Sequence, residues 1–225
     1  DLVDAYLDNG PEMVSWMEAN SEVVFLMSLP SSDWYPEVAG AKHYGRVLSP
    51  REYDGKKLGD YFPQITPGRD EFNAPGGFMI DMFDLPYLAQ MPKPKALWHF
   101  GKLAARFGMD KLRGYKRGTR LTMGNALAAA LMKSALDAGV TLQKSTAVTG
   151  LLTEGRRIKG VQASANGATQ THEARVGVVL ASGGFSANPQ LRKAYIPYAD
   201  QHVSILPYEN VGDGMNMGLE VGASL

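Results

Sequence analysis

The chain contains no cysteine. Disulfides, thiolate metal sites and cysteine nucleophiles are therefore excluded, and a reducing compartment fits without being required. An excess of charge is also missing, because 23 basic and 23 acidic residues give a formal net charge of zero. Nothing in that balance suggests a nucleic-acid footprint or a membrane-surface partner. No G-x-G-x-x-G and no Walker loop occurs in the 225 residues. The four histidines, His43, His99, His172 and His202, lie too far apart to make a metal-ligand spacing. No signal-peptide pattern opens the chain, and both ends look cut, as in an internal piece of a longer protein. What remains is ordinary for a globular chain, 44% hydrophobic and 20% charged, long enough for one large domain or two small ones.

The organising stretch runs from Arg120 to Phe185. Between Leu121 and Ala138 nearly every position is apolar or small, with Asn125, Lys133 and Asp137 on one narrow face. That pattern predicts a helix buried on most sides, and Lys133 and Asp137 argue against a membrane span. Gly139 supplies a left-handed residue to end the helix, and Val140 and Leu142 begin a strand pattern. Strands are expected over Thr146–Thr153, Ile158–Ala163 and Thr169–Ala174, turned at Glu154-Gly155 and Asn166-Gly167, the last of them an exposed edge. Val176 and Val178–Ala181 read as a strand covered on both faces, broken by Ser182-Gly183-Gly184. Asn188 and Pro189 then start a helix. A buried strand, a glycine turn and a helix start can hold an anionic ligand, or can simply pack an α/β layer.

Elsewhere the signals are plainer. Residues 2–19 predict two short helices, the second starting at Pro11. Val23–Met27 reads as a short strand. The loop from Pro30 to Pro36 carries Trp34 and Tyr35, which could contact a ligand or pack down, the commoner outcome. The glycines and prolines between 45 and 80 predict only short regular pieces. Asp81 and Asp84 have no histidine or third acid near them in sequence and are expected to be solvated. Leu97–Phe107 predicts a short helix, and the five basic residues of Lys111–Arg120 a solvated loop. Asp213, between Gly212 and Gly214, is a candidate helix cap or ligand contact.

Three pieces stand in one order: RGTRLTMGNALAAALMKSALDAGV, VVLASGGFSANPQLR and NVGDGMNMGLEVGA. Together they resemble the FAD-dependent fumarate reductase and succinate dehydrogenase flavoproteins, in particular the 3-ketosteroid dehydrogenase-like branch. AYLDNGPEMVSWME, SDWYPEVAGAKHYGRVLSP and EYDGKKLGDYF also look like that branch, while 85–115 matches it loosely. The resemblance implies an α/β class, here an α+β internal fragment of a Rossmann-like FAD-binding domain with an antiparallel meander. Residues 45–118 would be an irregular and helical insertion, and the N-terminal dinucleotide unit and C-terminal substrate domain would lie outside the chain.

The resemblance also implies FAD as cofactor of the full-length protein and a small apolar carbonyl substrate. It places Ala181, Ser182, Gly183 and Gly184 beside the adenosine half of FAD, Val148 beside adenine, and Gly212, Asp213 and Gly214 near the flavin, with Asn125 a further cofactor-side candidate. In ketosteroid Δ1-dehydrogenases a tyrosine follows the Asp that resembles Asp33; here Trp34 takes that position and Tyr35 stands beside it. An indole only donates a hydrogen bond. Either Tyr35 takes the proton-transfer role by a one-residue shift, or the full protein does not carry out steroid Δ1-dehydrogenation, the reading preferred from sequence. The activity implied is oxidation or reduction of a carbon–carbon bond next to a carbonyl, in the cytoplasm, with the electron partner open. The alternative is a non-enzymatic binding domain.

Overall fold

The computed structural model describes residues 1–27, 31–68, 73–74, 76–204 and 207–224. Pro30 and Pro75 lie outside the described residues. The chain forms two units, Asp1–Thr141 and Leu142–Leu225. Both combine helices with small antiparallel sheets, a mixed α/β class.

In the first unit the apolar helix forms as α4, Met123–Asp137, and sets the core. Ala126, Ala129 and Ala130 are buried against a 3-10 segment, Gly55–Gln64, whose Leu58 and Phe62 are buried too. Short alanine side chains let that segment approach closely, and Val23, Tyr53, Ile65, Met79 and Leu121 complete the cluster. Burial is one-sided, however: Ala128 and Leu131 are exposed, so α4 is not covered on most sides. Gly139 ends it at φ 79°, its N–H donating to Leu136. Val140 donates its N–H back to Ala135 O at 3.0 Å, and neither Val140 nor Leu142, each about half exposed, joins a strand ladder among the described residues, so no strand begins there.

Around α4 the pieces are short. Strands β1 (Phe25–Met27) and β2 (Leu48–Pro50) pair, as do β4 (Asn73–Ala74) and β5 (Phe78–Met79). Strand β3 (Tyr53–Asp54) pairs with β6 (Arg120–Leu121), bringing Tyr53 opposite Leu121. Residues 2–20 form one helix, α1 (Leu2–Asn20), not two. Asp1 accepts from the Val3 and Asp4 N–H groups, a capping box that fixes the start. Pro11 removes only one backbone bond and α1 runs through it, with no residue buried. A four-residue helix, α2 (Leu85–Leu88), leads to α3 (Pro94–Leu112), much longer than the stretch expected at 97–107. The basic stretch at its end is solvated only in part: Lys111, Arg113 and Lys116 are exposed, whereas Arg117 and Arg120 are tied down. Arg117 donates to Ile65 O at 2.5 Å and stacks 4.7 Å over Phe62. Lys111 donates to the Lys116 carbonyl, and Arg120 pairs with two acids.

The second unit is a meander, β7 (Thr146–Glu154), β8 (Arg157–Ala165) and β9 (Ala168–Glu173), with β9 an exposed edge as expected. Asn166 and Gly167 turn β8 into β9 at φ 52° and 78°. Helix α5 (Pro189–Tyr195) begins at Asn188, which accepts from the Gln190 and Leu191 N–H groups. Helix α6 (Asp213–Glu220) lies against β7.

The covered strand expected over 176–181 is not observed. Val176 and Val179 are fully or almost fully exposed, Leu180 is 41% exposed, and the segment has no strand partner among the described residues. An extended segment becomes a strand only where another backbone completes its ladder. Valine-rich composition alone did not supply that neighbour.

Candidate cofactor site

The Gly-rich turns of the second unit meet as the sequence order suggests. Ser182 Oγ accepts the Gly214 N–H at 3.0 Å, and Leu180 lies against Gly214 and Gly218. Asn188 Nδ2 donates to Val211 O at 2.9 Å, and Ala187 N–H to Asn210 O at 2.9 Å. The 182–188 and 210–214 turns are thus stitched to each other through backbone and capping groups. Asp213 is exposed and does not cap α6; Gly212, at φ 91°, occupies the cap position and Asp213 is the first helical residue. Its carboxylate therefore sits in the first turn, where it complements the helix dipole.

The glycines divide into two kinds. A Cβ at Gly183 would meet Asn210 Oδ1 at 2.5 Å, one at Gly212 would meet Leu191 Cδ1 at 2.5 Å, and one at Gly214 would meet Ser182 Oγ at 2.6 Å. Those three are filled by the protein's own side chains. Gly184 differs, with nothing within 4 Å of a Cβ. Ala181, Ser182, Gly183 and Gly184 are all exposed, so this backbone run is open to a ligand laid along it. Val148, on β7 opposite the buried Ala163, is 42% exposed beside the irregularity between Val148 and Gly150. The open run fits an extended cofactor such as FAD. The 212–214 turn is explained by internal packing.

The remaining candidates belong to the first unit. Asn125 Nδ2 donates to Thr66 O at 2.6 Å, anchoring the 65–68 loop to α4. Trp34 is 95% and Tyr35 70% exposed, so these aromatics do not pack down. Their loop is held from Asp33, which accepts the Lys42 N–H at 2.9 Å and pairs with Arg46 at 3.1 Å. Both rings stand outward on an anchored turn.

Sequence reasoning missed a buried polar cluster. Asp81 and Asp84 are 4% and 1% exposed, not solvated. Asp84 receives the Asp81 N–H at 2.7 Å, Arg120 Nη1 at 2.9 Å and His99 Nε2 at 2.8 Å. His99 arrives from α3 and stacks on Tyr87, centroids 4.1 Å apart. Burial pushes the Asp84 carboxyl upward, but the Asp81 N–H, Arg120 and His99 outweigh it and hold it below the usual range. Burial instead wins at Asp81 and raises it. Acids inside the otherwise apolar 78–88 run were the available signal, since buried charges require partners.

A cleft of about 320 Å³ opens beside Tyr53, Glu22 and Lys57. Lys57 Nζ donates to Glu22 at 2.6 Å and lies 5.1 Å over the Tyr53 ring; the Tyr53 hydroxyl donates to the same carboxylate at 3.2 Å. The Lys57 hydrogen bond lowers Glu22, whereas burial and the Glu22 charge raise Tyr53. Among the described residues no group of His, Cys, Asp or Glu could hold a metal, and no helix is long and apolar enough to cross a membrane.

A family model for the FAD binding domain matches residues 1–225. The chain belongs to the FAD binding domain family. It is 32% identical to a 3-oxosteroid 1-dehydrogenase of Mycolicibacterium smegmatis, over 99% of this chain and 40% of the relative. It is 30% identical to the 4-oxocyclohex-2-ene-1-carboxylate 5-dehydrogenase of Sinomonas cyclohexanicum, over 100% of this chain and 38% of that relative. The solved 3-ketosteroid delta1-dehydrogenase of Sterolibacterium denitrificans, in complex with 1,4-androstadiene-3,17-dione, superposes with a TM-score of 0.84 at 30% identity, covering 98% of this chain and 40% of that one. This FAD binding domain chain therefore spans about 40% of the length of the relatives it matches.

Proposed function

We propose that the protein carrying this chain is an FAD-dependent oxidoreductase that dehydrogenates a carbon–carbon bond next to a carbonyl in a small, largely apolar substrate. The observation that carries this reading is the FAD binding domain match over all 225 residues. Similarity to two dehydrogenases of oxo-substituted substrates supports it. The chain is an internal part of the flavin domain, with 45–118 an elaboration upon it. The units that hold the pyrophosphate and most of the substrate lie outside its 225 residues.

FAD supplies the hydride acceptor. The residues of this chain bind and orient. The exposed backbone of Ala181–Gly184, with Val148, would hold the adenosine half of FAD. Gly212, Asp213 and Gly214, a turn held by its own packing, would lie toward the flavin, and Asn125, which anchors the 65–68 loop to α4, would be a further cofactor-side residue. Removing a hydride from one carbon leaves a proton to be taken from its neighbour. Tyr35, with an oxygen that both donates and accepts, is the candidate to move it. Trp34 lacks that capacity and lines the substrate side.

The test is flavin content and turnover of the intact protein. Purified protein is expected to carry yellow FAD and to reduce a dye acceptor with a cyclic ketone as electron donor. Protein that stays colourless after incubation with FAD would sink the proposal. FAD-loaded protein inert toward 3-ketosteroids but active on a smaller oxo-substituted ring would keep the reaction class and exclude the steroid.

A further inference from the structure

Two chain bends in the first unit border one cleft. Gly59, at φ 53°, kinks the 3-10 segment Gly55–Gln64, and Gly114, at φ 86°, turns the chain away from the end of α3. Other residues rarely adopt such a φ, so glycine sets both bends. Pro63 and Pro67 stiffen the first wall by fixing their own φ. The cleft between the two walls measures about 590 Å³, larger than the one beside Tyr53. That is a volume ordinary for a small-molecule site.

The floor of the cleft is apolar. Phe62 and Ile65 are buried there, and the Tyr115 ring meets Phe62 edge-on, centroids 5.8 Å apart. Asp60, Pro63, Pro67 and Lys116 stand exposed at the rim. Both walls are fixed by backbone bonds. The Ile65 N–H donates to Phe62 O at 3.2 Å, and the Tyr115 N–H donates to Asp110 O at 3.1 Å. A ligand entering such a cleft has little chain to order.

Arg117 is the cation of this cleft. It is half-buried, and its guanidinium lies 4.7 Å over the Phe62 ring. Nη2 donates to Ile65 O at 2.5 Å. Nη1 and Nε make no hydrogen bond among the described residues, and no carboxylate there pairs with the guanidinium. Its neighbour Arg120 differs, since two acids hold it. Burial alone acts on the Arg117 guanidinium and pulls it below its ordinary value. A desolvated cation without a counter-ion is costly, and an anion from outside would relieve that cost.

We infer that this cleft binds an organic carboxylate with a flat apolar body, its charge on Arg117 and its body over Phe62 and Tyr115. The guanidinium fork suits a carboxylate, and the aromatic floor suits a ring system rather than a bare ion. Lys116 adds a second cation at the rim, while Asp60 opposes it. The inference stands apart from the flavin reading, because it uses neither FAD nor the 181–184 run.

The test is calorimetric titration of the intact, FAD-loaded protein with biphenyl-4-carboxylate, against biphenyl-4-carboxamide and acetate. The carboxylate is expected to bind at least about tenfold more tightly than the neutral amide, and acetate not to compete at equal concentration. Arg117→Gln is expected to abolish the preference for carboxylate while the amide binds as before. Pro67→Trp, at an exposed rim position, fills the cleft and is expected to weaken both ligands at least about tenfold. Asp60→Asn removes the opposing charge and is expected to tighten the carboxylate alone. Flavin content and circular dichroism serve as folding controls, and Pro67→Trp decides the matter where Arg117→Gln fails to fold. Absence of carboxylate binding overturns the inference, as the cleft would then be covered by another part of the intact protein. So does an Arg117→Gln variant that weakens both ligands equally, which would leave Arg117 a strut for Ile65. Binding abolished by a saturating cyclic ketone overturns it as well, because the carboxylate would then sit at the flavin.

Discussion

Arg120 and Asp84 meet at two points inside the first unit, Nη1 2.9 Å from Oδ2 and Nη2 3.3 Å from Oδ1, with His99 on the same carboxylate. With His99, the pair ties β6, a strand of two residues, and the irregular 78–88 run to the long helix α3. Only good geometry makes such a buried pair tolerable, because desolvation of both ions opposes it.

Two neighbouring acids should therefore respond to pH in opposite ways. Asp84 is held below the unfolded carboxyl value of about 3.9, so its contribution is present above that value and is lost as pH falls through the folded one. Asp84→Asn leaves Arg120 without its charge partner and should cost about 3–5 kcal/mol at neutral pH, a penalty that shrinks below about pH 4. Asp81 is raised, so its ionised form burdens the fold at neutral pH and that burden disappears in acid. Asp81→Asn should raise neutral-pH stability, with the gain vanishing below about pH 4. Urea unfolding across pH checks both, and a loss of stability in Asp81→Asn at neutral pH contradicts the assignment.

The two kinds of glycine predict separable effects. Gly212→Ala adds a Cβ 2.5 Å from Leu191 and 3.0 Å from Phe185 at φ 91°, and should destabilise by about 1–3 kcal/mol. Gly184→Ala meets nothing and should leave stability within about 0.5 kcal/mol. If FAD lies along 181–184, Gly184→Ala should nevertheless weaken FAD binding. Thermal unfolding and flavin titration separate the two quantities, and unchanged FAD affinity in Gly184→Ala would remove this run from the cofactor site.

Strand pairing in the second unit offers a control. A Cβ at Gly160 would stand 2.1 Å from the His172 carbonyl oxygen, a backbone atom of the neighbouring strand. Gly160→Ala should part β8 from β9 at a cost of about 3 kcal/mol, while Gly150→Ala, with nothing within 4 Å, should be close to neutral. Amide exchange would show the loss localised to β9; equal protection in the two variants contradicts the expectation.

Local chemistry explains which elements were legible. The Gly139 stop, the Asn166-Gly167 turn and the Asn188-Pro189 start rest on side chains that act within four residues, and all appear as expected. The failures concern partners far away in sequence. Val176–Ala181 has strand composition, but a ladder needs a neighbour that composition cannot name. Asp84 looked solvated because its partners, His99 and Arg120, are 15 and 36 residues away. Pro11 signalled a break, yet one lost hydrogen bond did not end a helix capped by Asp1. Within the candidate site, the order of the glycine turns was readable, but which glycine is open and which is filled needed coordinates.

The exposed pair Trp34 and Tyr35 carries the sharpest functional prediction. Both rings leave the same anchored turn, so geometry in this unit does not choose between them, and chemistry must. A phenol oxygen can accept and return a proton, whereas an indole N–H cannot. Tyr35→Phe should therefore lower kcat by about 10²–10⁴-fold while leaving flavin content and folding unchanged. Trp34→Phe keeps an apolar ring and should shift KM more than kcat, because it changes contact and no proton path. Steady-state kinetics with a cyclic ketone, together with solvent isotope effects, distinguishes the two. Equal small effects from both variants would place the proton acceptor elsewhere in the protein and leave this loop as a substrate wall.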